Sequence, residues 1–181
     1  MLPDFKNIEY LSKGSNIQQQ GWRILKDIGI LSKLKDFNAV LAGTLPLDLY
    51  IDEKSDLDII CTAADLTLFQ NAIIEEFSTY DDFTMERKSI KQTQSVIVRF
   101  HWKRFLFEIF AQQTPVENQY AYRHLRIEYY LLQRYGTELK ERVLHFKQSG
   151  LKTEPAFAVA LQLVGDPYEA LLEFEKLIAP D

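Results

Sequence analysis

Apolar residues recur at helical spacing in NIQQQGWRILKDIGILSKLKDF, where Ile24, Leu25, Ile28, Leu31 and Leu34 share one face. The spacing predicts one amphipathic helix over residues 16–37, running through Gly21 and Gly29. NAVLAG reads as a short buried strand ending at Gly43. Pro46 suits the first turn of a helix, so a short helical turn is expected after Gly43-Thr44. YIDEKS is a charged loop, and DLDIICT is a second strand. Asp65 stands where an N-cap belongs, and Leu66, Phe69, Ile73, Ile74 and Phe77 form the stripe of the next helix. The polar segment STYDDFTMERKS has no readable period. In QSVIVRFHWKRFLFEIFAQ, Val96, Val98 and Phe100 alternate with Ile97, Arg99 and His101. Phe105, Phe107 and Ile109 alternate with Leu106, Glu108 and Phe110. This is the pattern of two strands, joined by a hairpin at Trp102-Lys103-Arg104.

From Pro115 onward the period is helical only. VENQYAYRHLRIEYYLLQRYG is one helix, stopped by Gly136. Thr137 caps the next, which stops at Gly150. Thr153 caps a third, with Pro155 in its first turn and Gly165 beyond its end. Asp166, Pro167 and Glu169 supply an N-cap, a first-turn proline and a capping-box acid for the last helix. The sum is an α+β fold. A small mixed β-sheet with flanking helices occupies residues 1–114, and a helical C-terminal region packed on it occupies 115–181.

Composition narrows the function classes. A hydrophobic fraction of 46%, with 12 Phe and 9 Tyr, supplies a sizeable core. A net charge of −5 argues against a broad nucleic-acid surface, which needs excess Lys and Arg. Cys61 is the only cysteine, which excludes an intrachain disulfide and a Cys-rich zinc site. It follows Ile59-Ile60 and reads as a buried thiol. No apolar run is long enough to cross a bilayer, and MLPDFKNIEY has no leader pattern, so a cytoplasmic location is expected. Oligomeric state leaves no mark on the sequence.

Candidate chemistry gathers at EKSDLDII. Residues two apart on a strand point to one side, so Asp56 and Asp58 aim at one place. Like charges so placed must be solvated, protonated or joined by a cation. The readings are a solvated pair at a strand mouth or a metal site. Two carboxylates give Mg²⁺, or Mn²⁺, the hard oxygen ligands it takes alongside substrate phosphates. A third acid from a later strand, Glu108, could complete the set or take a proton. Its alternative is an ion pair to Arg99 or Arg104 across the hairpin. Gly43 lets backbone approach a phosphate, which Thr44 could bind, and Ser55 could touch a phosphate oxygen or orient Asp56. The alternative for Gly43-Thr44 is a plain turn. On the first C-terminal helix, Arg123, Arg126 and His124 could meet a substrate anion. Their alternative is a solvated face, with His124 paired to Glu128. Lys152, just before the third helix, could reach a phosphate.

LAGTLPLDLYIDEKSDLDII followed by RFLFEIFA resembles the nucleotidyltransferase superfamily, whose signature is a Gly-Ser turn followed about a dozen residues later by an Asp-x-Asp pair. The resemblance is to its small bacterial members, including the antibiotic nucleotidyltransferases. With QYAYRHLRIEYYLL and GLKTEPAFA it extends to an uncharacterised bacterial family of unknown function. It implies metal-dependent transfer of a nucleoside monophosphate from an NTP to a hydroxyl of an unknown acceptor. Asp56, Asp58 and Glu108 would be the metal ligands and catalytic acids. Gly43, Thr44, Ser55 and Lys152 would bind the nucleotide, and Arg123 and His124 the substrate. This chain departs from the signature in three ways: Thr44 replaces Ser, Leu45-Pro46-Leu47 replaces a basic and glycine-containing turn, and the third acid is Glu. The departures leave an alternative open, a catalytically inactive nucleotide-binding or partner-binding protein of the same fold, toxin–antitoxin-like.

Overall fold

A computed structural model describes residues 2–51 and 55–178. The middle of the expected charged loop, residues 52–54, lies outside them. The chain divides into two compact units at Gln119/Tyr120.

In the first unit a 3-10 helix (Ile8–Lys13) precedes helix α1 (Asn16–Ile28), which Ser15 caps in a capping box with Gln18. The single long helix expected here is broken at Gly29, which takes φ +68°. Only glycine adopts that left-handed conformation at little cost, so it acts as a C-cap. A short helix α2 (Ile30–Lys33) follows. The sheet contains β1 (Val40–Leu41), β2 (Leu57–Thr62), β3 (Asp81–Ile90), β4 (Thr93–Trp102) and β5 (Phe105–Gln112), with α3 (Leu66–Phe77) between β2 and β3. Spatial order is β1-β2-β5-β4-β3. β2 and β5 are parallel, and the other neighbours are antiparallel.

Asp65 caps α3 as the sequence predicts, accepting from Thr67 N and Leu68 N. Leu66, Phe69, Ile73 and Phe77 are buried, whereas Ile74 is half exposed, one step off the buried stripe. Phe77 stacks on Phe100, and Phe100 on Phe107, at centroid separations of 5.2 and 5.1 Å. This ties α3 to β4 and β5. β3 is the element the period missed. It is an edge strand whose residues are mostly exposed, with only Phe83 and Met85 leaning on the core.

The second unit holds α4 (Tyr120–Gln148), α5 (Thr153–Leu161) and α6 (Pro167–Leu172). Gly136 (φ 65°, ψ −151°) breaks α4 where the sequence placed a stop. Asp166 caps α6 through Tyr168 N and Glu169 N, with Pro167 in the first turn. Thr153 does not cap α5. The N-cap position is Lys152, and the Thr153 hydroxyl instead accepts from Lys147 Nζ at 2.9 Å. No helix among the described residues is long and apolar enough to cross a membrane.

Candidate metal centre

β2 alternates until Asp58 and then becomes buried on both faces, with Ile59, Ile60 and Cys61 all at 2% exposure or less. The acids therefore stand at the mouth of a buried strand. The parallel register sets Asp58 directly beside Glu108 of β5. Asp56, Asp58 and Glu108 are all half-buried, and each offers a carboxylate oxygen within 4.8 Å of the others. Three hard oxygen donors, from β2, from the residue just before it and from β5, suit Mg²⁺ or Mn²⁺. The donor set fits the cation the sequence implies.

Next in register on β4 stands Arg99. Its Nη2 lies 2.5 Å from Glu108 Oε2, and its Nη1 3.6 Å from Glu86 on β3. Lys88 pairs with Glu86 at 3.0 Å. A chain of alternating charge thus runs from the acids to the sheet edge. The cross-hairpin ion pair and the convergence on Asp56 and Asp58 coexist at Glu108.

Gly43 is packed against this centre. Its φ is +66°, and a Cβ there would lie 1.8 Å from Asp58 Oδ2 and 2.7 Å from Asp58 Cγ. Ala42 N donates to Asp58 O at 2.8 Å. The turn and the aspartate are built as one piece. After it comes a turn rather than the expected helical one. Asp48 N donates to Leu45 O and Leu49 N to Thr44 O, while Asp48 at φ 56° ends any helical continuation. The turn therefore does not itself open a helix. Thr44 is 8% exposed, and among the described residues its Oγ1 has no hydrogen-bond partner. A buried hydroxyl left so is a vacancy in the bonding pattern that a ligand oxygen would fill. Ser55 is used locally, its Oγ accepting from Ile51 N at 3.0 Å across the loop.

The remaining predicted residues belong to the helical unit. Arg123 grips Glu175 in a fork, Nε at 2.9 Å and Nη2 at 2.6 Å. The hydrogen bond raises Arg123 above its ordinary pKa and holds Glu175 below its own. His124 is buried, with Nε2 2.9 Å from the Tyr168 carbonyl, so that nitrogen carries the proton. Its Nδ1 lies 3.5 Å from Glu154, not Glu128 as the sequence suggests. Burial pushes Glu154 up, but the His124 hydrogen bond, a backbone amide and the charges of His124 and Lys152 outweigh it and lower the net value. Glu128 is fully buried, and burial and Glu154 raise it well above the carboxylate range, against the pull of Lys147. Lys152 is exposed.

Gln18 and Gly21 of α1 were missed. Gln18 is buried, and its Nε2 donates to Leu45 O and Pro46 O at 3.0 and 3.2 Å. A Cβ at Gly21 would lie 2.3 Å from Leu45 Cδ2. The signal was Gly21 itself, since a glycine inside a helical pattern marks close approach of another element.

A family model described as "Domain of unknown function (DUF4269)" matches residues 23–174. No curated protein matches the sequence. Among solved structures, the fold is similar to the Cid1 poly(U) polymerase with MgGTP bound, at TM-score 0.53 and 14% identity over 77% of this chain and 46% of that one. It is also similar to the GLD-2/RNP-8 complex, at TM-score 0.53 and 14% identity over 84% of this chain and 60% of that one. The non-canonical poly(A) polymerase complex GLD-2–GLD-3 gives 0.53 and 13% over 86% and 57%. The chain spans 46% to 60% of the length of these structures. The shared feature is a polymerase-like nucleotidyltransferase fold.

Proposed function

The chain belongs to the DUF4269 family, and from that premise we propose that it is a metal-dependent nucleotidyltransferase moving a nucleoside monophosphate from an NTP to an acceptor hydroxyl. The observation that carries the reading is the close packing of Gly43 against Asp58, which joins the Gly43-Thr44 turn to the three converging acids. In the reaction, the acceptor oxygen forms a bond to the α-phosphorus, the α–β phosphoanhydride breaks, and pyrophosphate leaves. A divalent cation bound by Asp56, Asp58 and Glu108 would neutralise charge on the phosphates and acidify the acceptor hydroxyl. Glu108 has Oε2 engaged by Arg99, so Oε1 is the oxygen left to complete the ligand set or receive the hydroxyl proton. Thr44 Oγ1 would donate to a phosphate oxygen, and Gly43 keeps the backbone close enough for that contact. Catalysis would rest on positioning and charge neutralisation.

The acceptor is proposed to be something other than an extended nucleic acid, because the net charge of −5 offers no broad basic surface. In this it would differ from Cid1, a poly(U) polymerase. Arg123 and His124 enter the proposal only as internal partners of Glu175 and Glu154 in the helical unit, where the charge of Lys152 also acts on Glu154. A second reading, an inactive nucleotide-binding protein of the same fold, has one observation in its favour: Arg99 already occupies Glu108. Pyrophosphate release from each NTP, with Mg²⁺ or Mn²⁺ and a panel of hydroxyl acceptors, separates the two. Release that Asp58→Asn abolishes supports the transferase, and NTP binding without release by any acceptor supports the inactive module.

A further inference from the structure

One face of α1 meets the turn that follows Gly43 at three successive levels. Ser15 Oγ donates to Asp48 Oδ1. One helical turn on, Gln18 Nε2 donates to the carbonyls of Leu45 and Pro46. One turn further, Gly21 leaves room for the Leu45 side chain. Positions 15, 18 and 21 follow the i, i+3 ladder of a single helix face. Gln18 is itself cradled: a Cβ at Gly14 would lie 2.1 Å from Gln18 Oε1. That Oε1 accepts from Ser15 N at 3.1 Å, closing the capping box. The two ends of one buried amide thus do different jobs. Oε1 caps the helix, and the NH₂ group holds two carbonyls of the turn. On its other side the turn is packed against Asp58.

We propose that Gln18 is a positioning residue that fixes the Gly43–Leu49 turn for phosphate binding before any ligand arrives. The proposal rests on the nucleotidyl-transfer reading. A carbonyl pair without donors would swing toward solvent and carry the Thr44 hydroxyl away from its place. Pre-organisation of this kind lowers the ordering cost of ligand binding. Asp56 and Glu108 lie outside the turn. Gly43, which meets Asp58, follows a residue tied to Asp58 by the Ala42 N–Asp58 O hydrogen bond, whereas Gln18 holds the carbonyls of Leu45 and Pro46 beyond it. Gln18 therefore acts on phosphate affinity far more than on metal affinity.

The two functions of Gln18 can be parted by chemistry. Gln18→Glu keeps an oxygen for Ser15 N, and glutamate at this position is itself a capping-box residue. It removes both donors to the turn. Gln18→Met removes cap and clamp together. Hydrogen exchange of amides 43–49, Mn²⁺ affinity and Mn²⁺·NTP affinity are measured for the full-length wild type and both variants. The expected result is faster exchange in the turn of Gln18→Glu, with α1 exchange unchanged. Mn²⁺ affinity should stay within about two-fold and NTP affinity fall on the order of ten-fold, the worth of about two neutral hydrogen bonds. Unchanged exchange in the turn overturns the clamp whatever happens to NTP. Faster exchange with undiminished NTP affinity overturns the positioning role. A wild type that binds no NTP while the turn still loosens in Gln18→Glu upholds the clamp and overturns the nucleotide reading on which its purpose depends. Loss confined to Gln18→Met assigns Gln18 to helix capping only and overturns the proposal.

Discussion

Gly43→Ala should weaken metal binding as well as lower stability, whereas Gly29→Ala should lower stability alone. Two effects act at this position. An L-residue held at φ +66° carries left-handed strain of about 1–2 kcal/mol. The added methyl would also start 1.8 Å from Asp58 Oδ2, far inside any real contact, so the Asp58 side chain must leave its place. Gly29→Ala is the matched control. Gly29 has φ +68°, and a Cβ there meets nothing within 4 Å, so it carries the strain without the collision. For a chain of 181 residues, about 1 kcal/mol corresponds to roughly 2–4 °C in Tm. Both variants should therefore melt a few degrees below wild type, Gly43→Ala somewhat lower. Titration calorimetry with Mn²⁺ then isolates the collision. Gly29→Ala should bind as wild type does. Gly43→Ala should lose on the order of 10–100-fold, as when a metal ligand is no longer held in position. Equal Mn²⁺ affinity for wild type and Gly43→Ala would refute the claim that the turn and the metal centre are one piece.

Two further outcomes follow from the buried groups. Glu128 is raised in the fold above its ordinary value of 4.5, chiefly by burial and then by Glu154, with Lys147 opposing. The folded state then binds more protons than the unfolded one, so this group's contribution falls as pH rises from 4.5 toward the raised value. Glu128→Gln should raise Tm at pH 8 and lose that advantage as pH falls to 4.5; an advantage constant across this range would contradict the sign. Burial pushes the Cys61 thiol up and leaves it fully covered, so an aromatic disulfide reagent should modify it only on unfolding, and rapid reaction of the native protein would contradict its placement in the core.

Elements defined by local chemistry were legible in the sequence. The Asp65 cap with its apolar stripe, the alternation from Val96 to Phe110, the stop at Gly136 and the Asp166-Pro167 start all act within a few residues, and each appears in the structure. Features set by distant partners were not. β3 has few buried side chains because it is an edge strand, so no period betrays it. Gly29 looked tolerable inside an apolar stripe, yet its left-handed conformation turns the chain. Thr153 has the chemistry of a cap, but Lys147 takes its hydroxyl. The three acids were visible as residue types, while their convergence depends on the parallel register of Asp58 with Glu108, fifty positions apart. Gln18 reads as one of three surface glutamines in a row, and only the turn it holds gives it a role.

The central claim is that Asp56, Asp58 and Glu108 hold a divalent cation to which a triphosphate then binds. Calorimetric titration of each NTP, in the presence and absence of Mn²⁺, into wild type and Asp58→Asn tests it most directly. The account predicts saturable binding of at least one NTP by the wild type only with Mn²⁺, and its loss in an Asp58→Asn protein of unchanged fold. NTP binding that is indifferent to Mn²⁺, or that survives Asp58→Asn intact, would contradict it.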